Sequence, residues 1–311
     1  MRLRTLPAIA AASAIVLLLA ACGSDSVEQS GSSDVDTTPT LPEVTTTVPS
    51  TDGGGTVGQY GHPTGADEVV VGYSELGGFT TPEFQFQRTP SVLISGDGRV
   101  FTPGAQIEIY PGPLVPAVQV QTITEDGIQQ VLAAADEAGL LANVDYADNQ
   151  FVADATTATV TISADGQTWV HEAYALSMTP PGEEETPERK ALADFVAQLS
   201  DLQTLVGADA LGPAELYEPE QYDILAIPVE DLSAYGSDGI EPTVVDWPSD
   251  AEVHLSDAVA PTDGSTASCT LVPAAQFGEL FQNANQLTFF ADGGVTYQVV
   301  VRPVLPGDCQ S

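Results

Sequence analysis

Three times in this chain a run of β-branched and aromatic residues enters a tight glycine-containing turn and resumes on the far side, which dictates antiparallel hairpins. Val92-Leu93-Ile94 leads through Gly96-Asp97-Gly98 to Val100-Phe101. Val160-Thr161-Ile162 leads through Asp165-Gly166 to Trp169-Val170, and Leu287 to Ala291 leads through Asp292-Gly293-Gly294 to Val295 and on to Val301. Glycine, and aspartate before it, supply the positive φ that short hairpin turns require. In the last hairpin Val295, Tyr297, Val299 and Val301 alternate onto one face, so that face is expected to be buried.

Helical stripes accompany the hairpins. Thr124 is placed to cap a helix with Ile128, Val131, Leu132 and Ala135 on one side; Glu125 and Asp126 suit its positive start, and Gly139 ends it. Thr186-Pro187 opens a second, with Leu192, Phe195, Val196 and Leu199 in register, and Pro273 opens a shorter third, with Phe277, Leu280, Phe281 and Ala284. Each stripe covers one side only, so each helix packs on something flat. The expected fold class is therefore α+β, with mostly antiparallel hairpin-built sheets each packed by one or two helices. A Gly- and Pro-containing stretch from Gly207 to Pro219 precedes the strand-like Tyr222 to Pro228 and divides the body into subdomains, 66–210 and 211–311.

The first 22 residues carry an address. Arg2 and Arg4 precede an apolar run from Ala8 to Ala21, broken only by Ser13, which reads as a signal peptide over residues 1–21. That run is too short to cross a bilayer core, which needs about 20 residues. Leu19-Ala20-Ala21-Cys22 matches the lipobox of bacterial lipoproteins, in which the cysteine becomes the acylated N-terminus. Ordinary cleavage leaving Cys22 unmodified is the alternative, but Leu19 fits poorly the small-residue site such cleavage prefers. At about 0.8 kcal/mol per buried methylene, two or three acyl chains hold a protein stably on a membrane. The expected location is the outer, extracytoplasmic face of a bacterial cell membrane.

From Cys22 to residue 65 the chain is rich in Ser, Thr, Asp, Gly and Pro, as in Thr45-Thr46-Thr47-Val48-Pro49, and cannot bury a core. It reads as a disordered stalk. Of three cysteines, acylation of Cys22 leaves Cys269 and Cys309, an even pair in a disulfide-permissive compartment, and the expectation is that they are bonded.

Charge narrows the partners. Seven Lys and Arg stand against 44 Asp and Glu, a formal charge of −37, which excludes roles that neutralise nucleic-acid phosphates. An apolar content of 43% is that of a packed protein, so the body is not disordered.

The strings Gly96-Asp97-Gly98-Arg99-Val100 and Ile109-Tyr110-Pro111-Gly112-Pro113, with Tyr297 to Pro306 ending Val301-Arg302-Pro303-Val304-Leu305-Pro306, carry a likeness. Over residues 90–311 the chain resembles secreted actinobacterial lipoproteins of uncharacterised function. The resemblance implies an envelope location and brings no catalytic residues.

The nucleophile, metal and phosphate motifs that mark catalytic sites locally are missing from the sequence. Gly72-Tyr73-Ser74-Glu75-Leu76 lacks the last glycine of a G-x-S-x-G elbow. His62, His171 and His254 stand far apart with no second ligand at metal spacing, and the glycines belong to turns rather than a phosphate loop. These imidazoles read as surface or hydrogen-bonded core groups. Trp169 and Trp247 read as core. Asp145, Asp148, Asn149 and Asp154 make an oxygen-rich loop but depart from the EF-hand order, so they read as solvated. No cofactor and no metal is expected, and no catalytic residue is assigned. Two classes stay open: a tethered, non-catalytic module that binds an envelope component or a partner protein, and an extracellular hydrolase whose site is assembled from residues distant in sequence. Missing local motifs weigh more against the enzyme.

Overall fold

The structure is a computed structural model that describes residues 59–149, 151–179, 182, 184–236, 239–260 and 268–309; the signal segment, Cys22 and the stalk as far as residue 58 lie outside the described residues. The described residues form β1 (Val69–Gly77), α1 (Pro82–Gln87), β2 (Val92–Ser95), β3 (Arg99–Pro103), β4 (Val118–Thr122) and α2 (Glu125–Glu137). There follow β5 (Thr156–Ala164), β6 (Gln167–Tyr174), α3 (Pro187–Ser200), α4 (Leu202–Val206), β7 (Glu215–Leu216) and β8 (Gln221–Pro228). The chain ends with β9 (Thr243–Asp246), β10 (Leu271–Pro273), α5 (Ala274–Gln282), β11 (Thr288–Asp292) and β12 (Val295–Pro303). The fold is α+β, as its periodicities require.

Each glycine turn closes a hairpin. Gly98 (φ 79°), Asp165 and Gly166 (49° and 73°), and Gly293 and Gly294 (59° and 82°) all occupy the left-handed region. Both threonine caps form: Thr124 Oγ1 accepts from the Gly127 N–H at 3.2 Å, and Thr186 Oγ1 from the Arg189 N–H at 3.4 Å.

Seven strands make one antiparallel sheet in the order β6-β5-β1-β2-β3-β4-β7, and five make a second in the order β10-β8-β12-β11-β9, where only β9 and β11 run parallel. The first sheet ends at Leu216 and the second begins at Gln221. β1 was not legible: Gly72 and the polar Ser74-Glu75 interrupt its apolar run, yet it lies centrally, pairing with β2 and, over seven residues, with β5.

One face of the first sheet carries α2, α3 and α4. Val131, Leu132, Leu192 and Phe195, none more than marginally exposed, pack there with Val71, Val160 and Ile162. The second sheet carries α5, whose Phe277 and Phe281 meet Tyr222, Trp247 and Phe290. A third, smaller core joins the sheets: Leu305, just past β12, packs against Leu93, Phe101 and Val118 on the first sheet's other face. The Tyr217 hydroxyl donates to the Val304 carbonyl at 3.1 Å beside it.

Residues 59–65, read from composition as the end of the stalk, are bonded to the body. The Tyr60 N–H donates to Gln129 Oε1 and its hydroxyl to Asp136, both at 2.8 Å, and the Gly61 N–H donates to Asp165 at 2.8 Å. An aromatic anchor among glycines outweighs the composition of its neighbourhood. Among the described residues no helix is long and apolar enough to cross a membrane.

Candidate functional site

The connection between β3 and β4, residues 104–117, reaches over from the first sheet to the second. At its base the Gly104 N–H donates to the Ala117 carbonyl at 2.8 Å, and a Cβ on Gly104 would stand 2.8 Å from the Ala117 Cβ, so closure there needs glycine. Farther out, Pro113 bridges Asn285, the Gln286 N–H donates to the Gly112 carbonyl at 3.0 Å, and the Gly112 N–H donates to Gln286 Oε1 at 3.1 Å. Gln87, at the end of α1, donates through Nε2 to the carbonyls of Leu114 (2.9 Å) and Val301 (3.1 Å). These bonds hold Val115-Pro116-Ala117 as a wall shared by two clefts at the seam of the sheets.

The cleft on the α1 side has a volume of about 530 Å³. Phe84, Ile107 and Ile109 line it and are 53%, 70% and 56% exposed. Its single ionic lining group is Arg88, whose guanidinium lies 5.5 Å from the Phe84 ring centre and donates to the Glu75 carbonyl. The cleft on the α5 side has a volume of about 550 Å³ and is walled by Leu216, Tyr217, Tyr222, Ala274 and Pro303. Its single ionic lining group is Glu218. Both volumes lie in the range that holds a small ligand; the α5-side walls are mostly apolar, with Glu218 and Gln282 as their non-aromatic polar side chains, while the α1-side walls mix apolar groups with Gln87, Thr89, Gln106 and Gln286 beside Arg88. In a chain so rich in carboxylates, walls with so few are a local exception.

Cys22 lies outside the described residues. Cys269 and Cys309 are joined by a disulfide with their Cα atoms 5.7 Å apart. Asp223 completes the one cluster of potential metal ligands among the described residues. It holds no thiolate, and the Asp223 carboxylate is taken by the Thr270 N–H at 2.9 Å and by Arg302 at 3.0 Å.

The three histidines fall in three separate places, and none lines either cleft. His62 Nε2 lies 3.1 Å from the Glu125 carboxylate; the Gln129 amide, aided by His62, holds that carboxyl below the usual range. His171, on β6, is buried between the Leu140 carbonyl (2.8 Å from Nε2) and the Tyr146 hydroxyl (2.9 Å from Nδ1). A carbonyl can only accept, so Nε2 carries the proton and Tyr146 donates to Nδ1. His254 lies 3.3 Å from Asp292 on an exposed turn. The carboxylates of Asp145, Asp148 and Asp154 do not converge within 4.8 Å of one another, and Asn149 is spent on the Phe151 N–H and the Met178 carbonyl.

Sequence reasoning missed the clefts themselves. The α5-side walls come from β4, the β7 region, α5 and the end of β12, and the α1-side walls from α1, the β3–β4 connection and Gln286, segments far apart in the chain that are bland one by one. Two signals were present: the Ile109 to Pro113 string, which lies on the seam loop, and a glycine inside the α5 stripe. Compared with protein-family models, curated proteins and solved structures, the chain matches none.

Proposed function

We propose that this protein is a non-catalytic binding module of the cell envelope, held on the outer face of a bacterial membrane by acyl chains on Cys22, as the resemblance to actinobacterial lipoproteins implies. The paired apolar clefts at the seam carry the binding half of this reading. They are concave, their shared wall is fixed by backbone hydrogen bonds, and their lining offers hydrophobic surface with one charge each, which suits capture rather than bond-breaking. The anchoring half rests on Leu19-Ala20-Ala21-Cys22 and on the stalk composition that follows. A tether of about 36 residues, ending before the bonded Tyr60, spans some 30 to 36 Å as a coil, enough to lift the body clear of headgroups.

Fractionation of cells producing wild type or Cys22→Ala tests the reading. Wild type is expected in the membrane pellet, resistant to high-salt washing, and Cys22→Ala in the soluble fraction. Equal retention of the two forms contradicts it.

A further inference from the structure

The α5-side cleft has a floor of unusual construction. Gly278 sits in the middle of the nine-residue α5, between Phe277 and Glu279, where glycine is among the poorest helix formers. Such a glycine is ordinarily explained by a close neighbour. Here none exists: although Gly278 is buried, a Cβ built on it meets no atom outside its own helix within 4 Å. The missing side chain leaves open space over bare helix backbone, and that space is the cleft.

A second feature lines the same space. Tyr222 is 3% exposed, its ring packed edge-on against Phe281 at 5.3 Å, and it lines the cleft. Its hydroxyl makes no hydrogen bond among the described residues, yet no buried polar atom there is left unpartnered, so the oxygen must open onto accessible space. Burial, reinforced by the Glu218 charge, raises this hydroxyl above the ordinary tyrosine range and keeps it protonated. Tyr217, beside it, has already spent its hydroxyl on Val304.

We infer that this cleft is a binding site for a small molecule with a flat apolar body and a cationic, hydrogen-donating end, the body lying over Gly278 between the apolar walls and the cation meeting Glu218 and the Tyr222 oxygen. The inference deepens the binding-module reading and rests on it. Bare backbone at Gly278 accepts a flat face at van der Waals distance, which any side chain would prevent. Glu218 is the only charge in the lining, and the field of the whole chain, at −37, concentrates cations and repels anions.

Three probes of one shape test it: 2-naphthylmethylammonium, 2-naphthylmethanol and 2-naphthoate, titrated in 150 mM NaCl into the full chain carrying Cys22→Ala, which bears no lipid to compete. Binding is followed by calorimetry and by amide shifts of Gly278 and its neighbours. The cation is expected to saturate and to bind at least tenfold more tightly than the carboxylate. Gly278→Leu should abolish saturable binding, while Gly278→Ala should raise Tm by about 2 to 4 °C through helix propensity, which shows that the floor tolerates a side chain. Glu218→Gln should weaken the cation about threefold to fivefold and leave the alcohol unchanged. Tyr222→Phe, which keeps the ring, should weaken both donors.

Loss of all three probes in Gly278→Leu with no preference for the cation overturns the ligand class and leaves the binding-module reading standing. Undiminished binding in Gly278→Leu overturns the site. No binding of any probe at 10 mM overturns the inference and removes the α5-side cleft from the binding-module reading.

Discussion

Asp223 and Arg302 face each other across the β8–β12 pair, and both Nε (3.1 Å) and Nη2 (3.0 Å) of the guanidinium donate to the same carboxylate oxygen. The other oxygen of Asp223 accepts the Thr270 N–H, next to Cys269, and the Cys309 sulfur lies 3.9 Å from the oxygen that Arg302 holds. Ion pair and disulfide thus secure one corner, the one from which the chain leaves the second sheet and supplies Leu305 to the seam.

Asp223 is buried, and without it the half-buried Arg302 keeps, among the described residues, only the longer ion pair with Asp308 at 3.6 Å. Asp223→Ala is expected to destabilise by roughly 3 kcal/mol in urea denaturation, whereas Asp223→Leu combined with Arg302→Met should recover much of that loss. Reduction of the disulfide, which closes a loop of 40 residues, should cost about 3 to 4 kcal/mol more in the same assay. A double variant no better than Asp223→Ala would show that the pair is not what the corner depends on.

His171 gives a pH dependence of definite sign. Burial lowers its pKa below the ordinary histidine value, outweighing the Leu140 hydrogen bond, and burial pushes Tyr146, its other partner, up to about 12. The unfolded chain therefore takes up a proton near pH 6.5 before the folded chain does. The stability that neutral His171 contributes is complete above pH 6.5 and is lost as pH falls from there toward the depressed folded value. The difference in unfolding free energy between wild type and His171→Gln should be largest at pH 7.5 and shrink between pH 6.5 and 5. A difference that grows on acidification would reverse the assignment.

Gly96 tests whether residues 59–65 belong to the body. A Cβ there would lie 2.7 Å from the carbonyl oxygens of both Pro63 and Gly65, which are backbone atoms with nowhere to go. Gly96→Ala should cost about 1 to 3 kcal/mol, the range for overpacking a close-packed contact. It should also expose the 59–65 stretch to proteolysis in the native state. A neutral substitution would mean that this segment only rests on the hairpin.

The contrast between Gly96 and β1 shows what the sequence discloses. Turn glycines, threonine caps and single apolar stripes act through neighbours a few residues away, so three hairpins and three helices could be read directly. β1 owes its place to β2 and β5, the latter some 90 positions distant, and its own residues alternate poorly. The parallel β9 is exposed at every position, and its one apolar pair, Val244-Val245, is too short to show an alternation. The seam clefts depend on how one sheet meets the other, so only their parts were visible: a Pro- and Gly-rich string and a glycine in the wrong place in a helix.

The cations of the body are already engaged. Arg99 pairs with Asp97, Arg189 with Glu185, Lys190 with Asp194 and Arg302 with Asp223, while Arg88 is bonded to a carbonyl. Five cations of the body stand against the 44 carboxylates of the sequence, so few of those on the described residues can be neutralised by a cation. Raising salt from 0.1 M to 1 M shortens the Debye length from about 10 Å to about 3 Å, so Tm should climb across an NaCl series. CaCl2 at matched ionic strength should add little, since Asp145, Asp148 and Asp154 do not converge. A flat NaCl series defeats the repulsion argument, and a saturating calcium shift restores that loop as a site.

Mass spectrometry of the mature N-terminus tests the tethered-module account most directly. Protein from the membrane fraction, cut after glutamate, should yield a peptide from Cys22 to Glu28 carrying diacylglycerol on the cysteine sulfur, with nothing upstream of Cys22 attached. An unmodified cysteine at that terminus, or a peptide that still holds Leu19-Ala20-Ala21, would contradict it.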